Sequence, residues 1–338
     1  MTNPFLKHPH FVYSRLTAIA WQANLLLQPS VFTAATGNRL RQIIDGWHTD
    51  LPVILNCSGI STIEDHALGE IKNYLDTTDR CIAFIVPDGN EQLFREIDSE
   101  LKKASISTES IDGSQVLLYG KNRNIASSLK SCLDTLAVDT SKIELKFVSD
   151  AVAGCYKPNA DNMFQRLEST PLLATGVLNA RALIADPVKF VWISLLLTDL
   201  FQRVIEEATP KTNRILAVSL RGSPFAAAIR ILAHRFSPSL EIIDHIGPKH
   251  ELLEEHVGRN EMQGGEYVLV SDFVVGGTEI KIARAYAMAH GAVLKNAITI
   301  GSYLSGPEYG DAVRLQSLVD ISSIVPELKY EFRSGGGK

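Results

Sequence analysis

Cysteine is scarce and scattered. Four residues, Cys57, Cys81, Cys132 and Cys155, lie far apart in a chain of 338 and offer no paired spacing for a metal. They are expected to be reduced, buried small hydrophobes of a cytoplasmic protein. An excess of positive charge is missing too. There are 33 Lys and Arg against 38 Asp and Glu, a formal net charge of -5. General polyanion binders lean on that excess, so no nucleic-acid partner is expected. Nor is there an uncharged apolar run long enough to cross a bilayer. The most apolar helical stretch, VKFVWISLLLTDLFQRVI (188–205), carries Lys189, Asp199 and Arg203. It reads as a core helix, and no membrane partner is expected. The opening MTNPFLKHPHFVYSRL has no apolar segment of the kind a secretory leader carries.

What is present suits a soluble α/β protein of two domains. The first half alternates strand-like and helix-like runs. LPVILNCSGI (51–60), RCIAFIVP (80–87), SQVLLYG (114–120) and KIELKFVS (142–149) read as strands. STIEDHALGEIKNYL (61–75), NEQLFREIDSELKKA (90–104) and NIASSLKSCLDTLA (124–137) read as helices. Ser61 and Glu64 fit a capping box for the first of these helices. Such alternation predicts a mostly parallel sheet covered by helices. Around 51 to 86 this half resembles the STAS family of regulatory domains, with Asp65-His66 where those proteins carry Asp-Ser. The resemblance implies a regulatory or interaction module that takes a protein partner. Asp65 is expected to favour a helix N-terminus through the dipole.

Gly, Pro, Asn and Asp break the pattern in VSDAVAGCYKPNADN (148–162). The expected division is a smaller α/β domain over 1–155, a second domain over 163–332, and a mobile tail over 333–338.

The second half repeats strand, loop and helix. NRILAVSLRGSPFAAAIRILAHRF (213–236) gives a strand and a tight loop at Leu220-Arg221-Gly222-Ser223, then a helix from Pro224 with Ser223 as its N-cap. SLEIIDHI (239–246) is a strand and GPKHELLEEHVGRNEMQGGE (247–266) a polar stretch. VLVSDFVVGGTEIKIARAYAMAHGA (268–292) is again strand, loop and helix, followed by the strand VLKNAITIGSYL (293–304). In a parallel sheet the functional loops gather beyond the strand C-termini. Here those are 220–223, 247–266 and 271–279. Gly276 and Gly277 permit backbone angles and approaches that a Cβ would block. The amides of Val275 to Glu279, at the positive end of a helix starting near Thr278, suit a phosphate monoester, with the Thr278 hydroxyl as a further donor. A carboxylate at Asp272 beside such a cradle calls for a hydroxyl pair or a cation. A ribose 5-phosphate carries hydroxyls near one end and phosphate at the other.

Residues 176 to 304 resemble the type I phosphoribosyltransferases, the orotate branch most closely. The motif maps onto the strand Val268 to Val270, the pair Ser271-Asp272, Phe273-Val274, and the phosphate loop Val275-Gly276-Gly277-Thr278. SLRGSPFAAA looks like the family's pyrophosphate loop, and TGVLNARALIADPVKFVW (175–192) like the segment that leads the orotate branch. The resemblance implies a parallel-sheet fold with helices on both faces and transfer of ribose 5-phosphate from PRPP to a ring nitrogen, with Mg²⁺ accompanying PRPP. It implies pyrophosphate held by Leu220, Arg221 and Gly222, ribose hydroxyls held by Asp272, and a closing lid over 247–266 with Lys249, His250 and Arg259 as its candidates. It also implies a homodimer. Two positions depart from the motif. Ser271 replaces an acidic residue and Val275 a threonine. Losing a carboxylate there costs roughly 2–3 kcal/mol of charged hydrogen bonding. Binding can outlast turnover in such a site, so a PRPP- or nucleotide-sensing regulator stands beside an active transferase, and an interaction scaffold is the third reading.

Overall fold

A computed structural model describes residues 3–23, 30–46, 51–102, 105–111, 114–121, 140–166, 172–207, 213–243, 265–303, 308–309 and 313–332. The chain separates into two units, Met1–Phe147 and Val148–Lys338.

The first unit has six strands in one sheet: β1 (Leu6–Lys7), β2 (Val12–Arg15), β4 (Val53–Asn56), β6 (Ile82–Pro87), β7 (Ser105–Ile111) and β8 (Ser114–Tyr119). Their order is β1-β2-β4-β6-β8-β7. Only β2, β4 and β6 run parallel, while β1, β8 and β7 pair antiparallel, so the sheet is mixed where a mostly parallel one was expected. Helices α1 (Leu16–Ala23), α2 (Ala34–Asp45), α3 (Gly69–Thr77) and α4 (Glu91–Leu101) bury Leu16, Leu40, Ile71 and Ile97 with Leu55 and Phe84 of the sheet. The short strands β3 (Val31–Phe32) and β5 (Thr62–Ile63) pair in parallel.

Three local expectations are corrected here. No capping box forms at Ser61 and Glu64; β5 (Thr62–Ile63) lies between them, a turn follows at 65–68, and α3 starts at Gly69 without a side-chain cap. Asp65 lies in that turn, ahead of the helix, beside His66 at φ 64°. The capping box is at Thr33 and Thr36, opening α2. Residues 142–149 are not a strand but part of helix α5, residues 140–153. The alternating Ile143, Leu145 and Phe147 suggested period two, yet the buried positions are Thr140, Glu144, Val148, Ala151 and Val152, a helical stripe, and Leu145 is 47% exposed. Glu144 is buried because Arg15 meets it with two hydrogen bonds of 2.7 Å, and the Tyr13 hydroxyl donates a third at 2.7 Å. The expected helix 124–137 and Cys132 lie outside the described residues; Cys57, Cys81 and Cys155 are buried thiols that form no disulfide among the described residues.

The second unit is built on β13 (Arg214–Val218), β14 (Ser239–Ile243), β15 (Glu266–Val274), β16 (Val293–Ser302), β17 (Glu308–Tyr309) and β18 (Val313–Asp320). The order is β14-β13-β15-β16-β18-β17, parallel throughout except for β17 at the edge. Burial on both faces explains the unbroken apolar runs. Ile215, Ala217, Val268 and Val270 face helices α7 (Pro187–Glu207) and α8 (Ser219–Leu232), through Phe201, Phe225 and Ile229. Leu216, Val218, Leu269 and Ala297 lie with Ile280, Ala283 and Ala287 of α9 (Thr278–Ala289). Helix α7 is the core helix read from 188–205, and among the described residues no helix is long and apolar enough to cross a membrane. Small antiparallel pieces join the ends of the unit: β9 (Tyr156–Pro158) with β12 (Gly176–Leu178), and β10 (Gln165–Arg166) with β11 (Leu172–Ala174) and β19 (Tyr330–Phe332).

Candidate functional site at the C-terminal edge of the parallel sheet

The chain leaves β13, adds β14 on one side, then returns to place β15 on the other. The reversal opens a crevice beyond the carboxyl ends of β13 and β15, where open α/β sheets take ligands. The helices that follow these two strands, α8 and α9, both begin there.

Helix α8 starts earlier than the sequence suggests. Leu220, Arg221, Gly222 and Ser223 are not a loop ahead of a helix at Pro224; the helix runs from Ser219, with Val218 as N-cap and no side-chain cap. Ser223 is therefore not the N-cap, and Pro224 sits inside the second turn. Gly222 shows why the turn is so tight. A Cβ on it would stand 2.9 Å from the Val270 carbonyl oxygen and 3.3 Å from the Ser271 Cα. The first turn of α8 thus rests on the main chain of β15, which brings residues 220–223 beside Ser271 and Asp272.

At the end of β15, Ser271 and Asp272 are 1% and 4% exposed. The Thr299 hydroxyl, on the neighbouring β16, donates to the Asp272 carbonyl at 2.7 Å and fixes this stretch of backbone. Val275-Gly276-Gly277 then turns the chain, with Gly277 left-handed at φ 68° as the N-cap of α9. Helix α9 has no side-chain cap either, and Thr278 is its first residue. Two helix starts, neither with a side-chain cap among the described residues, lie on either side of Asp272 and turn the positive ends of their dipoles towards it.

The electrostatics are shared between two carboxyls. Burial raises the Asp272 carboxyl above its ordinary range, opposed by the Phe273 backbone amide and the Arg221 guanidinium. Glu279, in the first turn of α9, is pushed up to about 8, by burial first and by the charge of Asp272 second. The Ser271 hydroxyl donates to Glu279 Oε2 at 2.5 Å. Arg221, although exposed, is near enough to lower both carboxyls. Arg221, Gly222, Ser271, Asp272 and Glu279 therefore converge. Lys249, His250 and Arg259 lie outside the described residues, as does nearly all of 247–266.

Sequence reasoning assigned Glu279 only a backbone amide; its carboxylate is the second acid of the site. The signal was present, since Glu279 is an acid in the first turn of the helix that follows the strand, five residues past the end of β15. A second feature was unmarked in the sequence. Phe273, beside Asp272, shares an apolar cluster with Tyr156, Tyr303 and Tyr330. The Tyr303 amide bonds the Val274 carbonyl at 2.9 Å, which places this cluster at the same edge of the sheet. The Tyr303 and Tyr330 rings meet edge to face at 4.9 Å, and the Tyr156 hydroxyl is buried with no hydrogen-bond partner among the described residues.

No model of a known protein family matches the chain, and no curated protein matches it. Solved structures are similar in part. Orotate phosphoribosyltransferase from Aeropyrum pernix is 19% identical, with a TM-score of 0.39, over 53% of this chain and 98% of that one. Adenine phosphoribosyltransferase from Leishmania donovani is 13% identical, with a TM-score of 0.37, over 53% of this chain and 82% of that one. Leishmania donovani UMP synthase is 11% identical, with a TM-score of 0.38, over 93% of this chain and 77% of that one. The STAS resemblance of the first unit has no counterpart among these three. At such identities and scores the chemistry of the site rests on its own residues.

Proposed function

We propose that the second unit binds PRPP, as its Mg²⁺ complex, and transfers ribose 5-phosphate to a heterocyclic base with release of pyrophosphate. The carrying observation is the buried Asp272 set between two helix starts that no side chain among the described residues caps. PRPP has phosphate groups at two ends and a diol between them, and this arrangement offers partners in that order. The 5-phosphate goes to the amides of residues 275–279 and the Thr278 hydroxyl. Pyrophosphate goes to the start of α8 and to Arg221. The ribose hydroxyls donate to Asp272. Mg²⁺ would accompany PRPP and supply charge neutralisation of the pyrophosphate, with Asp272 and Glu279 as the carboxyls beside the ribose and phosphate positions.

Bond cleavage at the anomeric carbon leaves positive charge on the ribose and negative charge on pyrophosphate. Fixed N–H donors and Arg221 meet the growing negative charge without having to reorganise, which is how such a site lowers a barrier. The buried carboxylate of Asp272 holds the ribose while the bond breaks. The acceptor approaches from the aromatic side, where Phe273, Tyr303 and Tyr156 suit a flat ring with one hydrogen-bonding edge.

Titration of Mg–PRPP into wild type and Asp272→Ala tests the reading, followed by a panel of bases with pyrophosphate detection. Micromolar binding that disappears in the variant, and pyrophosphate release with one base, are the expected results. Wild type that binds no PRPP would overturn it. A second reading rests on Val275 and Ser271, which supply neither the hydroxyl nor the charge of the motif: the unit then senses PRPP or a nucleotide without turnover. Binding with no pyrophosphate release from any base selects it.

A further inference from the structure

Ser271 stands where the resemblance places an acid, and a serine alone is ambiguous there, because its hydroxyl both donates and accepts. The structure removes the ambiguity. The hydrogen is held by carboxyls: the hydroxyl donates to Glu279 Oε2 at 2.5 Å, it also lies close enough to Asp272 to lower that carboxyl, and Ser271 is 1% exposed. A serine oxygen whose hydrogen is taken has only lone pairs left to offer. It then faces a ribose hydroxyl as a carboxylate oxygen would.

We infer that Glu279 is a positioning residue for the sugar: it acts through Ser271, and the Ser271–Glu279 couple replaces the acid that the strand lacks. This rests on the PRPP reading of the same site. Among the described residues, the charged groups that act on Glu279 are Asp272 on β15 and Arg221 on α8. Helix α9 contributes the position itself, since the first turn brings residue 279 back over the strand end. The couple needs Glu279 as an anion to be fully effective, because a protonated carboxyl carries a hydrogen of its own and holds the serine less strictly. Burial and Asp272 together push that ionisation up to about 8. Affinity for the sugar therefore rises as pH climbs from 7 to 9, through the ionisation of a residue that need not touch the ligand.

The experiment is calorimetric titration of Mg–PRPP at pH 7, 8 and 9 into wild type, Glu279→Gln, Ser271→Ala, the double variant, and Ser271→Asp/Glu279→Gln. At pH 9, where Glu279 is ionised, Glu279→Gln and Ser271→Ala each weaken binding about tenfold, the size of a lost charged hydrogen bond, and the Glu279→Gln loss shrinks towards pH 7. The two losses do not add, because one residue works through the other. The rise between pH 7 and 9 disappears in Glu279→Gln. Ser271→Asp/Glu279→Gln, with one carboxylate back on the strand, recovers most of the affinity. Additive losses, or a Glu279→Gln protein with the affinity and pH profile of wild type, overturn the inference while leaving PRPP binding intact. Wild type that binds no PRPP overturns this inference together with the function it rests on.

Discussion

Glu279→Gln should make the protein more stable, and increasingly so as pH rises. The folded-state pKa of Glu279 is about 8 against an ordinary 4.5. A carboxyl whose pKa is raised on folding binds a proton more tightly in the native state than in the unfolded chain. Below 4.5 both states are protonated and the group costs nothing. Between 4.5 and 8 the native state keeps the proton that the unfolded chain has released, so stability falls by up to about 1.4 kcal/mol per pH unit. The loss is complete above 8. Summed from 4.5 to 7, it reaches about 3 kcal/mol, shared with Asp272 because the two carboxyls interact. Glutamine keeps the contact with Ser271 and never ionises, so Glu279→Gln gains about 2 kcal/mol at pH 7 and almost nothing at pH 4.5. Hydrogen exchange of the β15 and β16 amides, corrected for the intrinsic pH dependence of exchange, reads the second unit without the first. The difference between variant and wild type should widen steadily from pH 5 to 8. Parallel profiles, or a variant that loses stability, would refute the reasoning. A gain in stability alongside the loss of PRPP affinity would mark Glu279 as a residue kept for binding at a cost to folding.

Two further outcomes follow from backbone and burial. Gly222→Ala puts a Cβ 2.9 Å from the Val270 carbonyl, an atom of the main chain that cannot rotate away. It should cost about 1–3 kcal/mol of stability by thermal melting and weaken PRPP binding in the same variant. Glu144→Ala leaves Arg15 buried without its carboxylate and the Tyr13 hydroxyl without its acceptor. A loss of about 3–5 kcal/mol in the first unit is expected by calorimetry, with the affinity of the second unit unchanged.

The parts of the fold that depend on near neighbours were legible in the sequence. Val268 to Val270 with Gly276 and Gly277 could only leave a buried strand and turn at once into a helix, and β15 and α9 do so. What depends on distant residues was not. Glu144 looks like a solvent-facing charge until Arg15, 129 residues away, is beside it. Without that partner, Ile143, Leu145 and Phe147 were the apolar face of a strand. The start of α8 is set by Gly222 against Val270, a contact between elements that a local reading of Gly-Ser-Pro as turn and cap cannot contain. Glu279 had the same difficulty. In the sequence it is one more helix-start acid, and only the fold brings its carboxylate to Ser271.

The contact at Gly222 has a mechanical meaning. Main chain touches main chain there, with no side chain between to swell, shrink or swing. The start of α8 and the end of β15 therefore form one jaw of a caliper whose setting no point substitution nearby can finely adjust. The other jaw, Val275-Gly276-Gly277, hinges on a glycine. Any fitting of the site to a longer or shorter anion has to come from that side, and the jaw built on Gly222 serves as the fixed reference against which the ligand is measured.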